Sequence, residues 1–172
     1  MKRLIHIFIS CVVLLGVGSC VHEDFPAGAD IVKVGQMLPD FSVTMSDGTE
    51  VTGDMLRGGV SVVVFFHTSC PDCQQLLPEL QRLYEEYSER VHFVLISREE
   101  GDALIAQFWA QHNLTMPYSA QSDRAVYNLF AESLIPRVYV SDNGGVVRHI
   151  FTDNPVPSYN TVRDALFGVI NY

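Results

Sequence analysis

A run rich in β-branched and aromatic residues precedes a pair of cysteines by three residues. The run is VSVVVFF, residues 60–66, and its lack of alternation predicts a strand that is buried on both faces. After Cys70, leucine and tyrosine residues recur at helical spacing as far as residue 87. A strand covered on both faces requires a layered fold. The stretch therefore places Cys70 and Cys73 where a buried strand ends and a helix begins.

The rest of the chain supplies the other elements of an α/β fold. We predict a hairpin about Asp47-Gly48, a second buried strand at 91–97, helices at 102–113, 124–132 and 158–170, and a hairpin at 137–150 about Asn143-Gly144. This order predicts a central mixed β-sheet with helices on both faces.

Length and composition limit the class of protein. The 172 residues suffice for one domain, and 48% apolar with 18% charged residues is typical of a globular chain. The net charge of −9 and the lack of basic clusters argue against nucleic acid as a partner.

The first residues form a separate segment. Lys2 and Arg3 precede a short apolar run, and small residues follow it, which is typical of a signal peptide over residues 1–19. The sequence VGSC at 17–20 resembles the lipobox of bacterial lipoproteins, which implies cleavage before Cys20 and its lipidation. Residues 20–30 then read as a tether and 31–172 as the folded domain. We expect the protein in the cell envelope of a Gram-negative bacterium, lipid-anchored and periplasmic or surface-facing.

Few cysteines remain in such a mature protein. Four are encoded, but Cys11 leaves with the signal peptide and Cys20 becomes the anchor. Cys70 and Cys73 can then pair only with each other, in a compartment where disulfides persist.

The residues around the pair suit redox chemistry. Pro71 fits the first position of a helix, which puts Cys70 at the helix N-terminus, where free N–H groups and the helix dipole favour thiolate. Cys73 follows one turn later and can resolve a mixed disulfide formed by Cys70. Asp72 carries a negative charge that disfavours a nearby thiolate. This favours a reduction potential at the reducing end of the range of thiol–disulfide proteins.

Several segments together resemble the thioredoxin superfamily, specifically its TlpA/ResA-like membrane-tethered disulfide oxidoreductases. The resemblance runs over residues 34–150 and rests on GQMLPDFSVTMSDG, VVVFFHTSCPDCQQLLPEL, the helix around Phe108, and LIPRVYVSDNGGVV. It implies a thioredoxin-like three-layer sandwich with an extra N-terminal β-hairpin and an insertion between the central strand and helix. It also implies that Pro136 is a cis-proline facing the cysteines and that Ile135 offers its backbone to the substrate.

Three features depart from the family pattern. Ser69 replaces the usual aromatic residue before the first cysteine, and Arg137 replaces the common threonine after the cis-proline. Val64 and Leu76 stand where relatives carry a buried acid or a polar substitute, so the sequence shows no counterpart of the acid that moves the proton of the second cysteine. Water, or His67 if it points inward, would have to serve instead.

Three other functions fit parts of the same pattern. A thiol peroxidase would have proline and a hydroxyl residue where Val63 and His67 stand. A copper carrier could use His67, Cys70, Cys73 and His149 as ligands, but that family spaces its cysteines one residue further apart. A thioredoxin-fold binding module would keep the disulfide for structure alone.

The favoured interpretation is an extracytoplasmic thiol–disulfide oxidoreductase, with Cys70 as nucleophile and Cys73 as resolving thiol. Its expected partners are protein thiol or disulfide substrates and an upstream protein electron donor. We expect a monomer that needs no organic cofactor and no metal.

Overall fold

The computed structural model describes residues 30–171. Its strands, in chain order, are β1 (Ser42–Thr44), β2 (Glu50–Thr52), β3 (Val60–Phe66), β4 (Val91–Ser97), β5 (Tyr118–Ser119), β6 (Arg137–Ser141) and β7 (Val147–Phe151). Its helices are α1 (Pro71–Tyr87), α2 (Asp102–His112) and α3 (Tyr159–Ile170). The predicted signal peptide, the lipidated Cys20 and all of the predicted tether except Asp30 lie outside the described residues.

A five-stranded mixed sheet forms the centre, in the order β5-β4-β3-β6-β7. β3 runs parallel to β4 and antiparallel to β6, with Phe65 opposite Arg137. The carboxyl ends of β3 and β4 therefore share one edge of the sheet with the start of β6. Because α1 follows β3 and Pro136 precedes β6, the topology brings the cysteine pair and the predicted cis-proline to the same edge.

The two faces of the sheet carry different layers. Side chains alternate along a strand, so Phe66 and Phe65 point to opposite faces. Phe66 contacts Trp109 of α2, on the face where α1 and α3 also pack. Phe65 contacts Tyr127 and Phe130, which lie in and just after a short 3₁₀ helix at 127–129. The thioredoxin-like three-layer arrangement is thus present, with long helices on one face and the 3₁₀ helix on the other.

The predicted N-terminal hairpin is confirmed as an antiparallel pair, β1 and β2, separate from the main sheet. Gly48 closes its turn with φ of +86°, a backbone conformation that glycine adopts without strain. The C-terminal hairpin of β6 and β7 turns similarly, but its positive φ of 76° falls at Gly145 rather than at Asn143 or Gly144.

The helix predicted at 124–132 is wrong, because the structure has only the 3₁₀ helix Tyr127–Leu129 there. The tertiary contacts explain the difference. One turn suffices to bring Tyr127 and Phe130 onto Phe65, and Ala131 then pairs with Asp30 in an isolated bridge, which takes the backbone out of helical geometry. Between β4 and this 3₁₀ helix lie α2 and β5, and the insertion that the family resemblance implies stays a prediction. Between residues 30 and 171, no helix has the length and apolar character needed to span a bilayer.

Candidate active site

The cysteine pair lies at the start of α1, as the sequence predicts. Cys70 is the N-cap residue in an extended conformation, and Pro71 opens the helix. The Cys70 carbonyl accepts the first helical hydrogen bond from Gln74 N, at 3.0 Å. Cys70 is partly exposed whereas Cys73 is fully buried, and both are free thiols. One sulfur is therefore accessible and the other is shielded from solvent.

Burial has the largest effect on the pKa of Cys73. It raises the pKa of the Cys73 thiol far above the ordinary value, and the charges of Cys70 and Asp72 raise it further. A hydrogen bond with the Cys70 side chain acts in the same direction. A hydrogen bond from the His67 backbone lowers the pKa in part. Cys73 is consequently protonated at neutral pH in the reduced protein.

The segment 133–136 faces Cys70 just before β6, and it is called here the substrate loop because the family resemblance implies that Ile135 and Pro136 meet the substrate. The Ile135–Pro136 bond is cis, as the resemblance implies. Cys70 Sγ donates to the carbonyl oxygen of Ile135 across 3.7 Å. Leu134, in the middle of the loop, has φ of +73°, and its carbonyl accepts a 2.7 Å hydrogen bond from the Tyr127 hydroxyl. The loop is thus fixed against the exposed sulfur by contacts on both sides.

A buried acid that sequence reasoning missed lies beside this site. Glu100, only 4% exposed, comes from the loop after β4. Its two carboxylate oxygens accept hydrogen bonds from Thr68, one from the backbone N–H at 2.8 Å and one from the hydroxyl at 2.5 Å. The Thr68 carbonyl in turn accepts from Gln74 Nε2 at 2.8 Å. Glu100 therefore holds the loop between β3 and α1 in place.

His67 belongs to this loop but points along it. Its Nδ1 lies 2.9 Å from Ser69 Oγ and 3.7 Å from Glu100 Oε1. The side chain is 23% exposed. Ser69, which replaces an aromatic residue of the family pattern, thus contacts the imidazole. His67 reaches the cysteines through its backbone, whose hydrogen bond acts on Cys73.

Two other predicted features fall in different places. Asp72 lies in the first turn of α1, and its charge raises the pKa of the buried Cys73. His149 lies on β7, opposite Val140, and lines a cavity of about 550 Å³ with Val60. Val60 begins β3, at the opposite end of that strand from Cys70. His149 is therefore separated from the three residues with which a copper site would need to combine it. Over residues 30–171, no group of three or more His, Cys, Asp or Glu side chains is placed to hold a metal ion.

Comparison with known proteins identifies what the chain resembles. The model of the AhpC/TSA family matches residues 34–150, more than half of the chain. Thiol-disulfide oxidoreductase ResA of Bacillus anthracis is 25% identical over 148 residues, covering 85% of this chain and 86% of that protein. Thioredoxin-like protein YneN of Bacillus subtilis is 27% identical over 124 residues, 69% of this chain and 71% of its own. The resemblance predicted from the sequence is confirmed.

Solved structures share the fold. A candidate protein disulfide isomerase from Bacteroides thetaiotaomicron superimposes with a TM-score of 0.78 at 21% identity, over 84% of this chain and 94% of that chain. A thio-disulfide isomerase from Thermus thermophilus gives a TM-score of 0.66 at 28% identity, over 80% and 97% of the two chains. The predicted thioredoxin-like fold is confirmed by these similarities and by the sheet order.

Proposed function

The chain belongs to the AhpC/TSA family and is a thiol–disulfide oxidoreductase, and we propose that Cys70 and Cys73 carry its reaction. The observation that supports this assignment is the arrangement at the start of α1. A partly exposed sulfur lies at the helix N-terminus and faces the Ile135 carbonyl, and a second sulfur is buried three residues later in the same helix. An accessible nucleophile with an adjacent, shielded thiol is what two-step disulfide exchange requires.

The reaction proceeds in two exchanges. The Cys70 thiolate attacks one sulfur of a substrate disulfide, and the other substrate sulfur leaves as a thiolate that takes up a proton. Cys73 then loses its proton and attacks Cys70 Sγ, which releases the second substrate thiol. Two electrons have passed to the substrate, and the enzyme holds a Cys70–Cys73 disulfide. A protein dithiol donor restores the reduced pair by the reverse exchanges, so no organic cofactor or metal takes part.

We assign the neighbouring residues supporting roles. Ile135 and Pro136 present backbone to an extended segment of the substrate. Pro71 starts α1, and His67 places its backbone against Cys73. Asp72 adds negative charge beside the pair, which disfavours the thiolate form and hence favours a reducing protein. The direction of catalysis is therefore reduction of protein disulfides.

The proposed location is the cell envelope of a Gram-negative bacterium. Residues 1–19 act as a signal peptide, Cys20 carries the lipid, and 20–30 tether the domain at 31–172 on the periplasmic or outward side. The lipobox-like VGSC at 17–20 supports this proposal. The substrates are protein disulfides, the protein acts as a monomer, and an upstream protein donor supplies electrons.

The activity is tested by insulin reduction with dithiothreitol as the donor. Wild type should accelerate the reaction, and Cys70→Ser should be inactive. Cys73→Ser, reduced and then mixed with insulin after removal of the dithiothreitol, should accumulate a mixed disulfide that mass spectrometry detects. Ser69→Ala, a change beside the pair that keeps both thiols, serves as the control and should still turn over. If wild type and Cys70→Ser behave alike, the disulfide is only structural and the protein is a binding module.

A coupled peroxide assay tests the peroxidase alternative. Peroxide reduction requires groups that activate the peroxide beside the reactive thiol. The structure has the buried Val63 and the half-buried His67 at the two positions where a peroxidase carries proline and a hydroxyl residue. We expect peroxide turnover no faster than that of a free dithiol.

A further inference from the structure

Arg137 is the largest fully buried side chain in the described part of the chain and has no role in the exchange chemistry. It directly follows the cis-proline, where the family pattern has threonine. A buried guanidinium destabilises a fold unless charge and hydrogen bonds compensate it. Its partners therefore indicate why arginine occupies this position.

The partners of Arg137 join two segments that are far apart in sequence. Its Nε donates to the carbonyl of Ser133, the first residue of the substrate loop, at 2.9 Å. Its Nη1 forms an ion pair with the carboxylate of Asp30, which is 46% exposed. The same nitrogen lies 3.5 Å from the hydroxyl of Tyr139. One guanidinium thus contacts both the substrate loop and the point where the chain enters the folded domain.

The entering segment is held by its backbone as well. Ile31 N and Val32 N both donate to the carbonyl of Phe130, at 3.1 and 2.9 Å. Asp30 pairs with Ala131 in an antiparallel bridge. The chain at 30–32 is therefore fastened to the residues immediately before the substrate loop, and Asp30 is placed where its charge meets Arg137.

We propose that Asp30 and Arg137 are a positioning pair that fixes the substrate loop, so that the end of the tether forms part of the substrate-binding structure. The proposal rests on the proposed function, because it gives Ile135 and Pro136 their role in substrate binding. Arg137 holds the loop at Ser133, and Tyr127 holds it at Leu134. Loss of the Asp30 charge leaves a buried cation less compensated and loosens the loop that faces Cys70.

The key variant is Asp30→Asn, with Asp40→Asn as its matched control. Asp40 also pairs with an arginine, Arg57, but at the surface, where its side chain is 88% exposed. We expect Asp30→Asn to lower kcat/KM for insulin by about tenfold, chiefly through KM, because a misplaced loop weakens substrate binding. Alkylation of Cys70 by iodoacetamide should become faster in Asp30→Asn, because a loosened loop exposes the sulfur and removes the Ile135 carbonyl that accepts from it. Asp40→Asn should match wild type in both measurements.

Hydrogen–deuterium exchange of the peptide spanning 133–140 measures the positioning directly. We expect faster exchange there in Asp30→Asn and in Arg137→Lys, which keeps the charge but lacks the Nε donor to Ser133. Wild-type exchange and wild-type insulin kinetics in Asp30→Asn would overturn the positioning pair. Inactive wild type would instead overturn the proposed function, and the exchange result would still decide whether Asp30 and Arg137 fix the loop.

Discussion

Replacing Thr68 by valine removes one hydroxyl from the loop that leads into the cysteines. In wild type, this hydroxyl and the Thr68 N–H each satisfy one oxygen of the buried Glu100 carboxylate. Valine has nearly the shape of threonine, so packing changes little. The change leaves Glu100 Oε1 buried and without its hydroxyl donor. A lost hydrogen bond to a charged group costs about 1.5–3 kcal/mol.

We therefore expect Thr68→Val to lower the free energy of unfolding by about 2 kcal/mol, which for a chain of this size lowers Tm by about 4–8 °C. Thr68→Ser keeps the hydroxyl and loses one methyl group, at a cost of about 1 kcal/mol. Urea unfolding of the reduced protein, followed by circular dichroism, measures both. The reasoning is refuted if valine destabilises the protein no more than serine does. Insulin reduction should fall in the valine variant, because the same loop carries His67 and Cys70.

Two further predictions concern the resolving thiol and the anchor. Burial raises the pKa of folded Cys73 above the ordinary 9.0, so above pH 9 the unfolded chain loses a proton that the folded reduced protein keeps. The free energy of unfolding should then fall by up to about 1.4 kcal/mol per pH unit. Cys73→Ala should remove this pH dependence of the free energy of unfolding. The measurement is made between pH 9 and 10.0, the ordinary pKa of tyrosine, so that tyrosines contribute little. An unchanged slope would contradict the raised pKa of Cys73. Cys20→Ser should move the protein from the membrane fraction to the soluble fraction, as immunoblotting of fractionated cells would show, and continued membrane association would rule out the lipid anchor.

The local sequence pattern was sufficient to predict those strands and helices whose residues alone determine their geometry. The unbroken apolar run at 60–66 and the helical spacing after Cys70 predicted β3 and α1 closely, because a doubly covered strand and an amphipathic helix each leave a clear periodicity. Pro71 marked the first turn of α1. The cysteine pair was accordingly found at the start of the helix where the sequence placed it.

The parts that were missed depend on contacts between distant residues. Glu100 stands beside Glu99 and Arg98 in a polar loop that reads as solvent-exposed, and only the fold turns it inward onto Thr68, 32 residues earlier. Relatives carry their buried acid or a polar substitute at the positions of Val64 and Leu76, and Glu100 lies at neither position. The sequence marked Arg137 only as a departure, because its partner Asp30 lies 107 residues away.

The equilibrium reduction potential of the Cys70–Cys73 pair tests the central claim most directly. It can be measured by mass spectrometry of alkylated protein after equilibration in glutathione buffers of graded ratio. We predict reversible two-electron behaviour of the pair and a potential near that of thioredoxin, about −270 mV. A potential near that of DsbA, about −120 mV, would contradict the reductase direction. Failure of the two thiols to form any reversible disulfide would contradict their assignment as the redox pair.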